Sequence, residues 1–361
     1  MKIGILSMQR INNYGSFLQA YALKSTIESL GHKVEFVDYE VEECLVKGNV
    51  KSKYNLKTFF PKVINKLVIF ARQGYTKNKY LDKKYDEYLL QLDISKQKNY
   101  KPKLDVLVIG SDEVFNCLQS NELVGYSRQL FGKDNNANKL ITYAASFGTT
   151  TLEGLIKYNI KDEIKSMLSK FECISVRDNN SGYIVEQLLD KKPIFNLDPV
   201  FIYNFDNLIP KKVDMKNYII LYAYGNRITS EEGKVIRKFA KKHNKKIITL
   251  GVEQRYADIC VQATPFEVLA YVKNADFVIT DTFHGSVFSI KYNKKFATIV
   301  RESNKQKLSD LLKRFELQNR QVENIEDLEK VLLCDVNYER INKFIEEQVN
   351  YSVNYLRDSI K

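Results

Sequence analysis

The stretch "DFVITDTFHGSVFSI", residues 276–290, joins an apolar run to an amphipathic segment through a short polar loop. Residues 277–279 indicate a buried strand, and beyond His284 the apolar residues recur at helical spacing. A buried strand followed by a helix is the repeating unit of parallel α/β sheets. The stretch therefore places His284, one of three histidines in the chain, where a strand gives way to a helix.

The same strand-then-helix unit recurs along the whole chain. The apolar runs before residue 204 are "KIGILSM" (2–8), "KVEFVDY" (33–39), "LDVLVIG" (104–110), "KLITYAA" (139–145) and "CISV" (173–176). Residues 204–216 carry a proline and several charges and interrupt the pattern, which restarts at Tyr218. We therefore predict an α/β protein of two Rossmann-like domains, whose parallel sheets face a central cleft.

The restart of the pattern sets the expected domain bounds. The N-terminal domain is expected over residues 1–205, with a basic helical insertion at about 50–100, and the C-terminal domain over 206–337. A last helix, within 338–361, is expected to pack back on the first domain. The chain length of 361 residues fits two domains better than one ordinary core.

Composition excludes several classes of protein. Hydrophobic residues make up 44% of the chain, as in a folded globular protein. No apolar run approaches the roughly 18 to 20 residues that span a bilayer, and the N-terminus lacks the features of a signal peptide. The five cysteines are scattered without a CxxC pair, which indicates neither a disulfide framework nor a zinc site. We expect a cytoplasmic protein.

The formal net charge of +12 comes mostly from lysine. The simpler interpretation is a solvated lysine surface. The alternative is attraction to anions: phosphorylated substrates, nucleic acid or an acidic membrane face. No nucleic-acid-binding motif is present, so nucleic acid is not expected as a partner. Peripheral contact with the anionic inner face of a membrane stays open.

Ligands of open α/β sheets bind beyond the carboxyl ends of the strands, where this chain has loops dense in polar residues. The candidate binding residues there are Asn12, Asn13, Tyr14, Asp112, Asn116, Arg177 and His284. Singly, such residues are often ordinary turn residues or helix caps, and this holds also for Gly15 and Asp198. Taken together, the loops indicate a cleft rich in hydrogen-bonding groups.

His284 has two interpretations. It could be a helix-start residue packed between sheet and helix. Alternatively, Gly285 permits close backbone approach, Ser286 offers a hydroxyl, and the first-turn amides attract an anion. Histidine also titrates near neutral pH and can transfer a proton. The position at a strand end favours the functional interpretation.

Two arginines at strand ends are candidate anion ligands. Arg177 could pair with Asp178 at the surface, or its guanidinium could face the cleft and contact a carboxylate or phosphate in two-point fashion. Arg301 opens the segment "RESNKQK" after another strand. For Lys305 and Lys307 of that segment, a solvated run of charges is the simpler interpretation.

The ordered motifs of these loops resemble those of the polysaccharide pyruvyl transferase family. They are "NNYGSFLQAYAL" (12–23), "GSDEVFN" (110–116), "YAASFG" (143–148), "SVRD" (175–178), "LDPVF" (197–201) and "TDTFHGSVFSI" (280–290). The resemblance implies a glycosyltransferase-B-like (GT-B-like) architecture. It also implies transfer of a pyruvyl group from phosphoenolpyruvate to a sugar of a cell-surface polysaccharide or its lipid-linked precursor, forming a ketal.

The resemblance also assigns roles. The family histidine maps onto His284 as general acid or phosphate ligand, and the arginine of its "SVR" motif maps onto Arg177. Further donor contacts are expected from Gly285, Ser286 and Arg301, and acceptor contacts from Asn12, Asn13, Tyr14, Asp112 and Asn116. Asp112 is also expected to be catalytic, because it could orient or deprotonate the acceptor hydroxyl, as could Asn13. Thr282 stands where many relatives carry an arginine, and Arg301 or Lys291 could replace that charge.

No metal or other cofactor is expected, and the implied partners are phosphoenolpyruvate and a sugar or lipid-linked oligosaccharide. Two alternatives remain at this stage. One is a GT-B glycosyltransferase with a nucleotide-sugar donor, and the other is a non-catalytic protein that binds anions or glycans. A shared fold does not decide between them.

Overall fold

A computed structural model describes residues 1–46, 89–95, 97, 99–120, 124–211, 213 and 215–361, so most of the helical insertion expected at about 50–100 lies outside the described residues. The first sheet has strands β1 (Lys2–Leu6), β2 (Lys33–Phe36), β3 (Leu104–Asp112), β4 (Ala137–Ala145), β5 (Ser175–Val176) and β6 (Ile194–Phe195). The α-helices around this sheet are α1 (Tyr14–Ser29), α2 (Leu152–Lys157), α3 (Lys161–Leu168) and α4 (Asn179–Leu189).

A short helix, α5 (Pro199–Ile202), precedes the second sheet. The strands of this sheet are β7 (Tyr218–Tyr222), β8 (Lys246–Leu250), β9 (Ile259–Val261), β10 (Phe277–Thr280), β11 (Lys295–Ile299) and β12 (Gln321–Val322). The later α-helices are α6 (Ser230–Lys242), α7 (Pro265–Asn274), α8 (Phe283–Lys291), α9 (Lys305–Arg314), α10 (Leu328–Leu333) and α11 (Tyr338–Ile360).

The two sheets have six strands each, in the orders β2-β1-β3-β4-β5-β6 and β12-β11-β10-β7-β8-β9. All pairings between these strands are parallel. The predicted fold class, two Rossmann-like α/β units with parallel sheets, is confirmed. In the first sheet the strand order reverses between β1 and β3, and in the second between β7 and β10. Ligands of such sheets bind beyond the strand ends at these switch points.

The strands in the middle of each sheet are rich in apolar residues, which are buried. In β10 all four residues are buried, and in β3 seven of the nine residues are buried. Helices cover both faces of a parallel sheet, so its inner strands are apolar on both sides. Two apolar clusters lie within single domains, while a third includes residues of both.

The shared apolar cluster joins the domains through α1 and α7. The Phe266 ring lies edge-on against Phe17 and Tyr21, with ring centroids 5.9 Å and 5.1 Å away. Helix α11 returns to the first domain, where Tyr355 donates its hydroxyl hydrogen to the carbonyl of Thr142 at 2.8 Å. Among the described residues, no helix is both long enough and apolar enough to cross a bilayer.

Candidate functional site

The two switch points face each other across a cleft of about 460 Å³. The first domain contributes the loop after β1, and the second contributes the ends of β7, β8 and β10. The lining residues are Asn12, Asn13, Tyr14, Tyr222, Ala223, Tyr224, Leu250, Gly251, Val252, Thr282 and His284. Of the predicted acceptor residues, the structure therefore brings Asn12, Asn13 and Tyr14 to the cleft beside His284.

His284 lies in the first turn of α8, at the inner wall of this cleft. Thr282 caps the helix, because its hydroxyl oxygen accepts a hydrogen bond from the Gly285 amide at 2.9 Å. The imidazole Nε2 lies 3.5 Å from Oδ2 of Asp198 in the first domain. No hydrogen-bond partner of Nε2 is found among the described residues. The ring thus lies beside a carboxylate, and its Nε2 is buried.

Arg177 neighbours the same Asp198 as this histidine and is bound to two carboxylates. One terminal nitrogen donates to Asp198 at 3.0 Å, and the other donates to Asp112 at 3.3 Å. The guanidinium also stacks on the Phe283 ring, with 4.3 Å between its central carbon and the ring centroid. The side chain of Arg177 is only 3% exposed. The guanidinium therefore binds two carboxylates inside the protein. It does not form the alternative surface pair with Asp178.

Both carboxylates are ionised at neutral pH. Burial opposes ionisation of Asp112, but Arg177, His284 and a hydrogen bond from Ser16 lower the pKa of its carboxyl below the ordinary value. Burial also opposes ionisation of Asp198, and His284 and Arg177 lower the pKa of this group. The side chains Asp112, Arg177, Asp198 and His284, which we call the central cluster, thus contain two negative charges and one permanent positive charge.

A second ion pair lies next to the central cluster. Lys307, in the first turn of α9, is 2.5 Å from Oε1 of Glu113, which follows Asp112 directly. The other oxygen of Glu113 accepts a hydrogen bond from the side-chain amide of Asn116 at 2.8 Å. This ion pair crosses the domain boundary. It brings a second cation close to Arg177.

A comparison with models of protein families identifies the family of this chain. The profile for polysaccharide pyruvyl transferase matches residues 13–303. The chain belongs to the polysaccharide pyruvyl transferase family. This confirms the resemblance of its loop motifs. A comparison with curated protein sequences gives no match.

Solved structures share the fold of this pyruvyl transferase family member at low sequence identity. The S. aureus MnaA–UDP structure aligns with a TM-score of 0.52 and 12% identity, over 98% of this chain and 96% of that one. The UDP-GlcNAc 2-epimerase of Methanocaldococcus jannaschii aligns with a TM-score of 0.48 and 12% identity, over 96% and 100% of the two chains. The likeness to the MnaA structure, at the higher of these two TM-scores, shows a common GT-B-like fold.

Three predicted site residues face away from the cleft. The Ser286 hydroxyl is fully buried and bonds to the Thr298 hydroxyl and to the carbonyl of Thr282. Gly285 packs on Thr280: a Cβ atom there would be 2.1 Å from the threonine hydroxyl oxygen, so this close packing requires a glycine. Asn116 is 5% exposed and holds Glu113 in place. Ser286, Gly285 and Asn116 therefore have supporting roles in this structure, and their expected ligand contacts stay predictions.

The two proposed replacements for an arginine at position 282 are also engaged elsewhere. Arg301 binds both carboxylate oxygens of Glu232, at 3.0 and 3.1 Å, and its Nε donates to Asp281. Lys291 lies in the last turn of α8 and donates to the carbonyl of Tyr203 at 2.9 Å. Neither cation contacts the central cluster.

Three residues of the site were not predicted from the sequence. Asp198 and Gly15 resembled a turn residue and a helix-start residue, and Lys307 resembled part of a solvated run of charges. For Asp198 and Gly15 the available signal is position within the family motifs, since Asp198 follows β6 and Gly15 lies in the first turn of the helix that follows β1. Among the described residues, no group of three or more His, Cys, Asp or Glu side chains is arranged to hold a metal ion.

Proposed function

We propose that this chain transfers a pyruvyl group from phosphoenolpyruvate to a sugar of a cell-surface polysaccharide or its lipid-linked precursor, forming a ketal. The family supports the transferase class. The observation that carries the proposal is the pairing of His284 with Asp198 at the inner wall of the cleft, 3.5 Å apart. A carboxylate next to an imidazole can hold the ring in one orientation, and general acid catalysis requires such a positioned group.

The proposed reaction has a defined balance of bonds and protons. A proton adds to the methylene carbon of the donor, and a sugar hydroxyl attacks the neighbouring carbon as it loses its own proton. The carbon–oxygen bond to phosphate then breaks, and phosphate leaves with the bonding electrons. A second hydroxyl closes the ring. Of the two protons that the hydroxyls release, one balances the proton gained by carbon and the other goes to phosphate.

The central cluster supplies groups for these steps. His284 is the proposed general acid, and such a group is worth about 10²–10⁴ in rate. Asp112 is the proposed partner of the acceptor hydroxyl, because its carboxylate is ionised and its side chain is 14% exposed. Arg177 acts through the two carboxylates that it holds. We therefore propose it as a positioning residue instead of a direct donor ligand.

The cleft offers surfaces suited to a sugar. Tyr14, Tyr222 and Tyr224 supply aromatic rings for the apolar faces of a pyranose, and Asn12 and Asn13 supply amide groups for its hydroxyls. We propose that the acceptor sugar occupies this space. The hydroxyls to be modified would then lie near His284.

Phosphoenolpyruvate and lipid-linked precursors meet at the cytoplasmic side of a membrane, where we place the reaction. The net charge of +12 suits peripheral contact with anionic lipid there. Sedimentation with vesicles of neutral lipid, with and without phosphatidylglycerol, tests this contact. Equal sedimentation with both kinds of vesicle would remove it.

The activity is tested by incubating the chain with phosphoenolpyruvate and a panel of nitrophenyl glycosides or lipid-linked oligosaccharides. Mass spectrometry should detect the pyruvyl ketal with the wild type and not with His284→Asn. A parallel incubation replaces phosphoenolpyruvate by nucleotide sugars. Sugar transfer in that arm would show a glycosyltransferase, and binding without transfer in either arm would show a non-catalytic glycan- or anion-binding protein.

A further inference from the structure

The short segment that carries Asp198 is held by side chains from distant parts of the chain. Residues 195–198 lead from β6 to α5, and we call them the Asp198 segment. The amide of Leu197 donates to the hydroxyl of Ser352 in α11 at 3.1 Å. The carbonyl of Leu197 accepts a hydrogen bond from the hydroxyl of Tyr143 at 3.1 Å. The backbone next to Asp198 is therefore fixed by side chains outside its own strand and helix.

Arg314, in the last turn of α9, supplies a charged group to the same segment. Its guanidinium donates to the carbonyl of Asn196 at 2.9 Å and to that of Phe195 at 3.4 Å. It also donates to Oε1 of Gln348 in α11 at 3.0 Å. Arg314 therefore connects the second domain, the returning helix α11 and the Asp198 segment at one point.

The surroundings of the Arg314 guanidinium are costly for a charge. It is partly buried, its three acceptors are neutral oxygens, and burial lowers the pKa of Arg314. Placing a charge among neutral partners away from water costs free energy, which an apolar side chain would avoid. An arginine supplies what an apolar side chain lacks, namely a rigid set of donors that binds several oxygens at once. This favours a role in fixing the two carbonyl groups over a role in packing alone.

The segment that Arg314 holds leads directly to the carboxylate beside His284. Asn196 precedes Asp198 by two residues, so a shift of the Asn196 carbonyl moves Asp198 with it. The Asp198 carboxylate accepts a hydrogen bond from Arg177 at 3.0 Å and lies 3.5 Å from Nε2 of His284. Arg314 also borders the small internal space that Arg177 and Asp198 line. The loss of Arg314 would thus reach His284 through Asp198.

We propose that Arg314 is a positioning residue, which fixes the Asp198 segment so that the Asp198 carboxylate faces His284. It acts through Asp198 and not by contact with donor or acceptor. The inference rests on the proposed function for its kinetic consequence only, because the contact between Asp198 and His284 does not depend on a substrate. Removing Arg314 should therefore slow the reaction without weakening the binding of the donor.

A purely structural role for Arg314 predicts a different result. Arg314→Met would then lower the thermal midpoint and change kcat by the same factor whether or not Asp198 is intact. A positioning role predicts that its effect on kcat depends on Asp198. A double-mutant cycle measures this dependence.

The first experiment measures steady-state kinetics with phosphoenolpyruvate varied, for Arg314→Met and Asp198→Asn, alone and together. Arg314→Met alone should lower kcat roughly tenfold or more, with the KM for phosphoenolpyruvate within about twofold of the wild type. In the Asp198→Asn background it should change kcat by less than about twofold, because the carboxylate that it positions is already lost. Arg314→Lys keeps a donor for one carbonyl and should recover part of kcat. Lys313→Met removes an exposed charge from the same helical turn and is the matched control, with kcat like the wild type.

The second experiment needs no donor, acceptor or product. The chain has three histidines, so the Cε1–H signals of histidine-labelled protein are few in an NMR spectrum, and His284→Asn identifies the signal of His284. Arg314→Met should shift this signal in the direction in which Asp198→Asn shifts it, whereas Lys313→Met should leave it in place. A thermal melt checks that each variant is folded. Should Arg314→Met not fold, the same measurements on Arg314→Lys decide, with smaller changes of the same sign.

An unshifted His284 signal in the folded variant, or an equal loss of kcat in both backgrounds, would overturn the inference. The outcome for the proposed function is read separately. A signal that shifts as expected, with a wild type that forms no ketal, overturns the proposed function alone. A wild type that forms the ketal, with signal and kcat unchanged in Arg314→Met, overturns this inference alone. No ketal together with an unshifted signal overturns both.

Discussion

Gly15 in the first domain lies directly against the imidazole of His284 in the second, where a Cβ atom on Gly15 would be 2.2 Å from Nδ1 and 2.3 Å from Cγ. Gly15 belongs to the first turn of α1, whose cap Asn13 accepts hydrogen bonds from the amides of Gly15 and Ser16. The first turn of α1 therefore limits where the His284 ring, in the first turn of α8, can lie. The ring is held between Gly15 on one side and Asp198 on the other.

Gly15→Ala should displace the imidazole, because a methyl group cannot share its space. We expect kcat to fall by at least tenfold, since even small misplacement of the proposed general acid is costly. The thermal midpoint should change little, because alanine favours the helix. Steady-state kinetics and a thermal melt test this. Gly225→Ala, whose Cβ atom would meet nothing closer than 3.6 Å, is the control; equal kinetics for the two variants would contradict the contact.

Asp198→Asn should lower kcat more than it changes the KM for the donor. The amide keeps an oxygen for the Val200 amide, which Asp198 now caps at 3.1 Å, but it loses the charge beside His284. Asp178→Asn is a matched control, since Asp178 caps α4 and bonds to Ser146 without contacting His284. Steady-state kinetics should show near-normal kcat for the control. A similar loss in both variants would assign Asp198 a structural role only.

The sequence predicted the fold well because the pattern that determines it is local. Apolar runs such as 218–222 and 277–280 became β7 and β10, and the loops after them became the cleft. The short strands β9 and β12 were not predicted, since three and two residues carry too little pattern. Their pairing depends on neighbouring strands far away in the sequence.

The site was predicted less completely because its contacts are long-range. Position alone placed His284, Arg177 and Asp112 at strand ends, where the structure brings them together. The partners of Arg177 could not be read from the sequence, since Asp112 is 65 residues away and Asp198 is 21 residues away. For the same reason Lys307 resembled a solvated lysine: its partner Glu113 lies 194 residues away.

Arg177→Met should destabilise the fold strongly. The change leaves Asp112 and Asp198 buried beside each other without their cation, and breaking such a buried arrangement costs about 3–5 kcal/mol. Arg340→Met removes an arginine whose pair with Glu316 is exposed on both sides, which is worth about 0–1 kcal/mol. Urea unfolding of the two variants should therefore differ clearly. Equal free energies of unfolding would show that the central cluster is not held by Arg177.

Acid should destabilise the chain through the same carboxylates. Burial opposes the charges on Asp112, Glu113 and Asp198, but their cationic neighbours lower the pKa of each in the folded state. A lowered folded pKa adds stability that is complete above the unfolded pKa and is lost as the pH falls through the folded value. The thermal midpoint should stay level from pH 7 to about 5 and fall below about 4. Calorimetry at several pH values tests this, and Asp112→Asn should show a shallower fall.

Thr282→Arg should not simply restore the arginine that many relatives carry, because the start of α8 is built around threonine. The Thr282 hydroxyl accepts from the Gly285 amide at 2.9 Å and lies 3.0 Å from the Thr280 hydroxyl. A guanidinium accepts no hydrogen bond, so the cap is lost, at a cost of about 0.5–2 kcal/mol. Thr282→Ala should lose the same amount in urea unfolding, while Thr282→Ser should stay near the wild type. If Thr282→Arg is as stable as the wild type while Thr282→Ala is not, the new guanidinium has found partners in the site. The arginine would then compensate for the lost hydroxyl cap, and the predicted loss of stability in Thr282→Arg would be wrong.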